Sequence, residues 1–416
     1  MAALLRMYAG AASQFALRTE ATPSAAVIDY DQTLHGIWAE LLQRPMTAEQ
    51  WRQATLPQKL GGLGIQTATS RVTPAYWSSL TATLPAVARA LPGDVYRMLL
   101  DSDMGDNAAK AQTHLLNTSG GASAKAGPLR MDLYSALQEP IKQSALMVKQ
   151  HTTSLNTALS QASVQEAAFL RSCGGAGAGA FLNGPPAKEM LMADDIWETA
   201  VRFRLNMPHA GMPAIPASSM QCQHRHLSKA TMCNQPLGND NNHAIHCSKG
   251  GWTQRRHDAV ARVLAGIQSD VFEVASHFNQ ATPQWDHQKA NGEWERAYMD
   301  LVYTDHQGQP QYVDVALVSA VAGSTDVVLK ASRKDGAAAA RATERKHDRY
   351  GPEVWAFVLE LGGRPGREAR EWVARVLEQS SSNPTYPTTY GTDIWSRISC
   401  VAQKHIALQL KRAVGC

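Results

Sequence analysis

Two apolar, largely β-branched runs lie between Glu295 and Val318, in ERAYMDLVYTDHQGQPQYVDVALV, and each carries one aspartate, Asp300 and Asp314. A lone carboxylate in a buried strand is expensive, so two of them need a reason. The runs flank DHQGQP, a turn-forming segment that predicts a β-hairpin. A hairpin centred on Gln307 puts positions 300 and 314 opposite each other on one face, with Cβ atoms about 5 Å apart. Like charges that close destabilise each other unless they share a proton or hold a divalent cation. Mg²⁺, which takes one or two carboxylates plus waters and phosphate oxygens, suits such a pair. It would support phosphodiester cleavage by Lewis acidity and by generating hydroxide. The competing reading is an ordinary hairpin with two solvent-facing acids, and spacing alone does not choose between them.

The helix expected next, AAARATERKHDRY, places Ala342, Lys346, Arg349 and Tyr350 on one side at i, i+4, i+7 and i+8. A cation there could orient an attacking water or neutralise developing charge on a phosphate. A solvated basic face is the alternative.

A second cluster, CQHRHLSKATMCNQPLGNDNNHAIHC, spaces Cys222-x10-Cys233-x9-His243-x3-Cys247. Thiolate and imidazole ligands of this kind suit tetrahedral Zn²⁺, with His224, His226 and His246 as rival ligands. A segment so poor in apolar residues needs something to hold it, and structural zinc contributes about 10–16 kcal/mol. Directly after it, Arg255, Arg256 and His257 open a helix whose Val260, Val263, Leu264 and Ile267 are apolar at helical spacing. Its basic end can meet phosphates while the apolar face packs.

The 416 residues allow two or three domains. A net charge of +4 is too small to demonstrate a polyanionic partner, so any basic surface must be local. Six cysteines in this length are no disulfide framework and read as a reducing context. No stretch of 18 apolar residues exists, so no membrane span is expected. The segment to about residue 165 reads as mostly helical, with DQTLHGIWAELLQR and YWSSLTATLPAVARAL at helical spacing. SCGGAGAGAFLNGPPA, residues 172–187, reads as a flexible break, and the stretch from Ser380 as a Ser/Thr/Pro-rich, weakly helical tail. The first 19 residues contain Arg and Ser and no acid, and can pass for a mitochondrial transit peptide.

In this order, the motifs resemble the C-terminal part of site-specific non-LTR retrotransposon proteins. In that family a reverse transcriptase is followed by a CCHC zinc knuckle and a restriction-like endonuclease of the PD-(D/E)xK class. The family's HAxxC…GG…RH is similar to His243, Ala244, Cys247, Gly250, Gly251, Arg256 and His257. RAYMD followed by Asp314-Val315 resembles its R-P-D-x(12–14)-D-V, with Met299 in place of the proline. Ala342, Lys346, Arg349 and Tyr350 resemble its A-x-x-x-K-x-x-K-Y, with Arg349 replacing the second lysine. LPQKLGGLGIQTATSRVTPAYWSSL resembles the region just after the polymerase, and the likeness covers roughly residues 15–375.

The resemblance implies an α+β, multi-domain protein: a helical post-polymerase remnant (1–165), a linker with a helix (166–215), a zinc knuckle (216–252), an α/β restriction-like domain with a mixed sheet (253–380) and a tail (381–416). It implies a truncated, retrotransposon-derived endonuclease that nicks DNA, without reverse transcriptase activity because the Tyr-x-Asp-Asp core is missing. Asp300 and Asp314 would bind Mg²⁺. Lys346 would position or activate the water, since Ala316 occupies the usual lysine position. Tyr350 would pack or touch phosphate. Glu273 would be a third acid, with Glu293 and Glu295 as alternatives. Arg255, Arg256, His257 and Arg349 would contact nucleic acid, and Cys222, Cys233, His243 and Cys247 would hold Zn²⁺. DNA, and the element's RNA as a further candidate, would be the partners, in the nucleus. Met1 would then fall inside an older, longer reading frame, which accounts for the transit-like start. The alternative is an inactive, zinc-containing nucleic-acid-binding remnant.

Overall fold

The computed structural model describes residues 14, 16–118, 132–184, 188–212, 214, 220–229, 231–238, 240–272, 276–305, 307–381 and 390–416. The chain forms two units, Met1–Leu41 with Pro45–Pro57 and Gly64–Gln161, and Leu42–Arg44 with Gln58–Leu63 and Ala162–Cys416. The transit-like start lies mostly outside the described residues.

The first unit is helical, as its periodicity predicts: α1 (Ala25–Leu41), α2 (Ala48–Thr55), α3 (Ala68–Ala90), α4 (Gly93–Leu100), α5 (Asp103–Thr118), α6 (Leu133–Gln138) and α7 (Gln143–Gln161). Trp77, Leu84, Ala111, Leu115, Leu137 and Leu146 form its main core. The buried Asp31 on α1 accepts from the amides of Ala68 (2.6 Å) and Thr69 (2.9 Å). Those are orphan donors at the start of α3, where a carboxylate also meets the positive end of the helix dipole.

The second unit is mixed α+β. After α8 (Val164–Ser172), α9 (Asp194–Arg204), α10 (Asn242–His246) and α11 (Trp252–Phe272) come β1 (His277–Ala281), a minor pair β2 (His287–Gln288) and β3 (Trp294–Glu295), β4 (Tyr298–Thr304) and β5 (Pro310–Val318). There follow α12 (Thr325–Arg333), α13 (Ala337–Tyr350), β6 (Val354–Glu360), α14 (Arg367–Ser381) and α15 (Tyr390–Ala413). The main sheet runs β1-β4-β5-β6. β4 is antiparallel to both β1 and β5, and β6 is parallel to β5 across the α12–α13 crossover. One face buries Leu301, Tyr303, Val313, Val315, Phe357 and Leu359 with Val260, Leu264 and Ile267 of α11 and Trp372 of α14. On the other face Ala356 and Val358 pack against Ala339 and Ala342 of α13, where small side chains let the helix lie close.

Three expectations are corrected. Residues 172–187 are not a flexible break over their described part. Ala178, Phe181 and Leu182 are buried, and Gly177 has φ +76°, with a Cβ there lying 2.5 Å from the Trp395 ring. Glycine is needed for that approach. Arg204, 1% exposed, stitches the segment down: its five N–H donors reach the carbonyls of Gly62, Ala178, Gly362, Gln58 and Cys173. The C-terminal stretch is not a weak tail. Residues 382–389 lie outside the described ones, but α15 buries Ile394, Ile398, Ile406 and Leu410. The knuckle is not a separate domain either, because Cys222, Leu237, Ile245 and Cys247 share a core with Ile406 and Leu410 of α15. Among the described residues, no helix is long and apolar enough to cross a membrane.

Candidate functional site

The hairpin has the expected register, Leu301 facing Val313 and Val302 facing Tyr312. Its turn is held by the buried Asp305, which accepts from the amides of Gln307 and Gln309, with Gly308 at φ +78°. Continuing that register places Asp300 opposite Asp314. There the ladder gives way, and the Asp300 carboxylate takes the Val315 amide at 2.7 Å. A carboxyl oxygen of each lies within 4.8 Å of the other.

Two cations close on this pair. Lys346, on the α13 face predicted for it, places Nζ 2.5 Å from Asp314 Oδ2. His257 of α11 places Nε2 3.0 Å from Asp300 Oδ2, while its Nδ1 lies 3.1 Å from Asp258 Oδ1. One ligand atom each from His257, Asp300 and Asp314 fall within 4.8 Å of one another. The His257 ring, expected at phosphate, instead completes the acidic cluster.

Burial shapes the electrostatics. It is the main cause that carries the Asp314 carboxyl up to about 6; Lys346 opposes the rise and the Asp300 charge adds to it. Burial acts on Asp300 the same way, but the hydrogen bond and charge of His257 outweigh it and hold that carboxyl below the usual range. Burial would lower His257, yet Asp300 and then Asp258 carry the imidazole up to about 9. Around neutral pH each acid of the metal-free pair therefore has a cation beside it, the His257 imidazolium at Asp300 and Lys346 at Asp314.

Tyr350 is buried with Met299 and Val354, its ring edge-on to Trp285. Burial raises its phenol, and the nearby Asp314 adds to the rise, so it walls the site. Arg349 is exposed, its guanidinium 4.9 Å from the Tyr350 ring centroid and 3.5 Å from Glu295. Glu273 lies outside the described residues. Glu295 is engaged with Arg349, Lys289 and His287, and Glu293 with Asn291; neither belongs to the cluster.

The two arginines of α11 part company. Arg255 is exposed over the Trp252 ring at 4.7 Å. Arg256 is 2% exposed and donates to Gln409 Oε1 at 2.9 Å, and burial lowers its guanidinium to about 10. It is a core residue rather than a phosphate contact. Its place at the head of the stripe Arg256, Val260, Leu264, Ile267 is the signal that would have shown this.

Cys222, Cys233, His243 and Cys247 bring their ligand atoms within 4.8 Å of one another. Cys222 and Cys247 sulfurs are 3.8 Å apart, and Cys233 Sγ is 3.3 Å from His243 Nε2. Burial chiefly, and then the neighbouring thiols, push Cys222 up to about 12. Three thiols and an imidazole converging at this spacing fit a tetrahedral soft-ligand cation, compatible with zinc, which would hold the sulfurs as thiolates. The rival His224 is instead buried with Nε2 on the Gln409 carbonyl at 3.0 Å, while His226 faces Ser228. No family profile matches the chain, and no curated protein matches it.

Proposed function

We propose that the second unit is a metal-dependent DNA endonuclease that nicks one strand, in a protein derived from a retrotransposon. The observation that carries this reading is the convergence of Asp300 and Asp314, on the two central strands β4 and β5, with His257 and Lys346 from the helices. The buried Asp314 carboxylate, the half-buried Asp300 carboxylate and an imidazole nitrogen at that spacing fit one small divalent ion, which we take to be Mg²⁺. When bound, such an ion supplies Lewis acidity toward a phosphate oxygen and lowers the pKa of water. The chain's own groups do the rest. Asp300, held by the Val315 amide, and Asp314 would supply carboxylate oxygens to the ion. Lys346 offers an ammonium where charge builds on the phosphate, or orients the attacking water. Asp258 behind His257 fixes which ring nitrogen faces the acids. Tyr350 and Trp285 pack edge-on along that flank.

The alternative, a nucleic-acid-binding remnant without cleavage, draws on one observation: Asp300 and Asp314 each already have a cationic partner without a metal. Nicking of supercoiled plasmid in Mg²⁺ separates the two. The endonuclease reading expects nicked circles from the native chain and none from Asp314→Ala. Equal nicking by both would remove the site assignment, and binding with a steep salt dependence but no nicking would favour the alternative.

A further inference from the structure

The knuckle, the start of α11 and the end of α15 line an open cavity of about 620 Å³ that the acidic cluster does not use. Its walls carry Arg225, Arg255 and Arg412 together with Trp252, Leu227 and Met232, and none of its eleven lining residues is a carboxylate. All three guanidiniums are exposed, and among the described residues none of them makes an ion pair. A concentration of unpaired positive charge around an aromatic wall is not what core packing produces.

The wall is built rather than incidental. Gly250 adopts φ +79°, and a Cβ there would lie 2.9 Å from the Trp252 ring. Gly251, at φ +65°, would meet Leu227 at 3.1 Å. The glycine pair therefore lets the knuckle turn tightly against the indole. His224, 1% exposed, lies near-parallel to Trp252, with ring centroids 6.3 Å apart and 26° between planes. Its Nε2 bond to Gln409 locks that ring in place. Arg255 then spreads its guanidinium over Trp252. Leu227 and Met232, 73% and 40% exposed, are the apolar rim.

We propose that this cavity takes an unpaired nucleotide of single-stranded nucleic acid. The base packs against the Trp252–Arg255 platform and the apolar rim, and the flanking phosphates meet Arg225 and Arg412. Every base has a π-face, so such a platform is sequence-tolerant, and guanidiniums supply the backbone charge. An acidic peptide would satisfy the arginines but leave the aromatic platform and rim unused. The proposal rests on the reading that this chain handles nucleic acid. Trp252 and His257 are five residues apart on α11, about 7.5 Å along the axis. Both residues lie in the first two turns of α11, about 140° apart around its axis.

The test is fluorescence anisotropy with labelled dT12, rU12 and a 12-base-pair duplex, on the zinc-loaded full chain without added Mg²⁺, so that cleavage plays no part. Both single strands should bind more tightly than the duplex, and comparing dT12 with rU12 distinguishes DNA from RNA as the source. Trp252→Ala should weaken single-strand binding roughly 5- to 100-fold. Because Trp252 is partly buried, the exposed pair Arg225→Gln with Arg412→Gln serves as a second test. It should lower the salt slope by about 1.4. Equal affinity in all variants, duplex binding as tight as single-strand binding, or equal competition by polyglutamate would each overturn the proposal. Those results leave the plasmid-nicking outcome untouched, so failure of the cavity and failure of the endonuclease reading are told apart.

Discussion

His257 Nε2 lies 3.0 Å from Asp300 Oδ2, joining a helix to a strand 43 positions away in sequence. That contact turns a pair of carboxylates into a three-donor site. Its removal should be felt at the metal before it is felt in the fold. His257→Ala should weaken Mn²⁺ affinity at least about 10-fold, read by calorimetry. An unchanged affinity would make the imidazole a structural partner of Asp300 only.

Lys346 should act on the reaction rather than on ion capture. Lys346→Met removes the ammonium beside Asp314, so cleavage should fall about 10²–10³-fold while Mn²⁺ affinity holds or rises. In the metal-free variant the Asp314 carboxyl should titrate above its native value of about 6, because Lys346 is what opposes the effect of burial. An NMR titration reads that shift, and a fall would contradict the contact.

The pH dependence follows from the same groups. Asp314 is raised to about 6 from 3.8, so the folded metal-free state binds its proton more tightly than the unfolded chain. That contribution to stability is full below 3.8 and lost as pH rises through about 6. A cation needs the opposite state, so its affinity should fall as pH drops below about 6. With His257 up to about 9, ion binding near pH 7.5 should release about one proton, rising toward about two near pH 5.5. Calorimetry in buffers of different ionisation enthalpy measures this, and zero release would exclude His257 as a ligand.

The Cys222, Cys233, His243 and Cys247 cluster should hold one zinc per chain, lost in Cys247→Ser. Since Cys222 and Cys247 share a core with Ile406 and Leu410, chelation should also speed amide exchange in α15. Loss of zinc without any change there would separate the knuckle from that core.

Arg255 and Arg256, adjacent in sequence, should behave differently. Arg255→Gln should reduce the salt slope of oligonucleotide binding by about 0.7, whereas Arg256→Met, inside the core, should leave slope and affinity alone. Equal losses would mean that Arg256 leaves its buried bond to Gln409 when nucleic acid binds.

Much of this was legible one residue at a time. The alternation around Gln307 gave the hairpin register, and i, i+4 spacing gave Lys346 its face, because both are local periodicities. His257 was misread because its role depends on where α11 lands against the sheet, which no spacing encodes. Residues 172–187 misled for a related reason: glycines that mark flexible chain also permit the close packing seen at Gly177 and Gly362. The helix α15 was underrated although Ile394, Ile398, Ala402, Ile406 and Leu410 recur at strict i+4 spacing. The buried Gln403 and Gln409 dilute that stripe, and they are in the core because they bond to the Leu361, Ala244 and Ile245 carbonyls.

Mn²⁺ titration of the zinc-loaded protein, followed by electron paramagnetic resonance, tests most directly whether the two aspartates gather a divalent ion. One Mn²⁺ should bind to the native chain, and that site should vanish in Asp300→Asn and in Asp314→Asn while the zinc content stays the same. Native-like Mn²⁺ binding in both variants, or none in the native protein, would show that the aspartates do not.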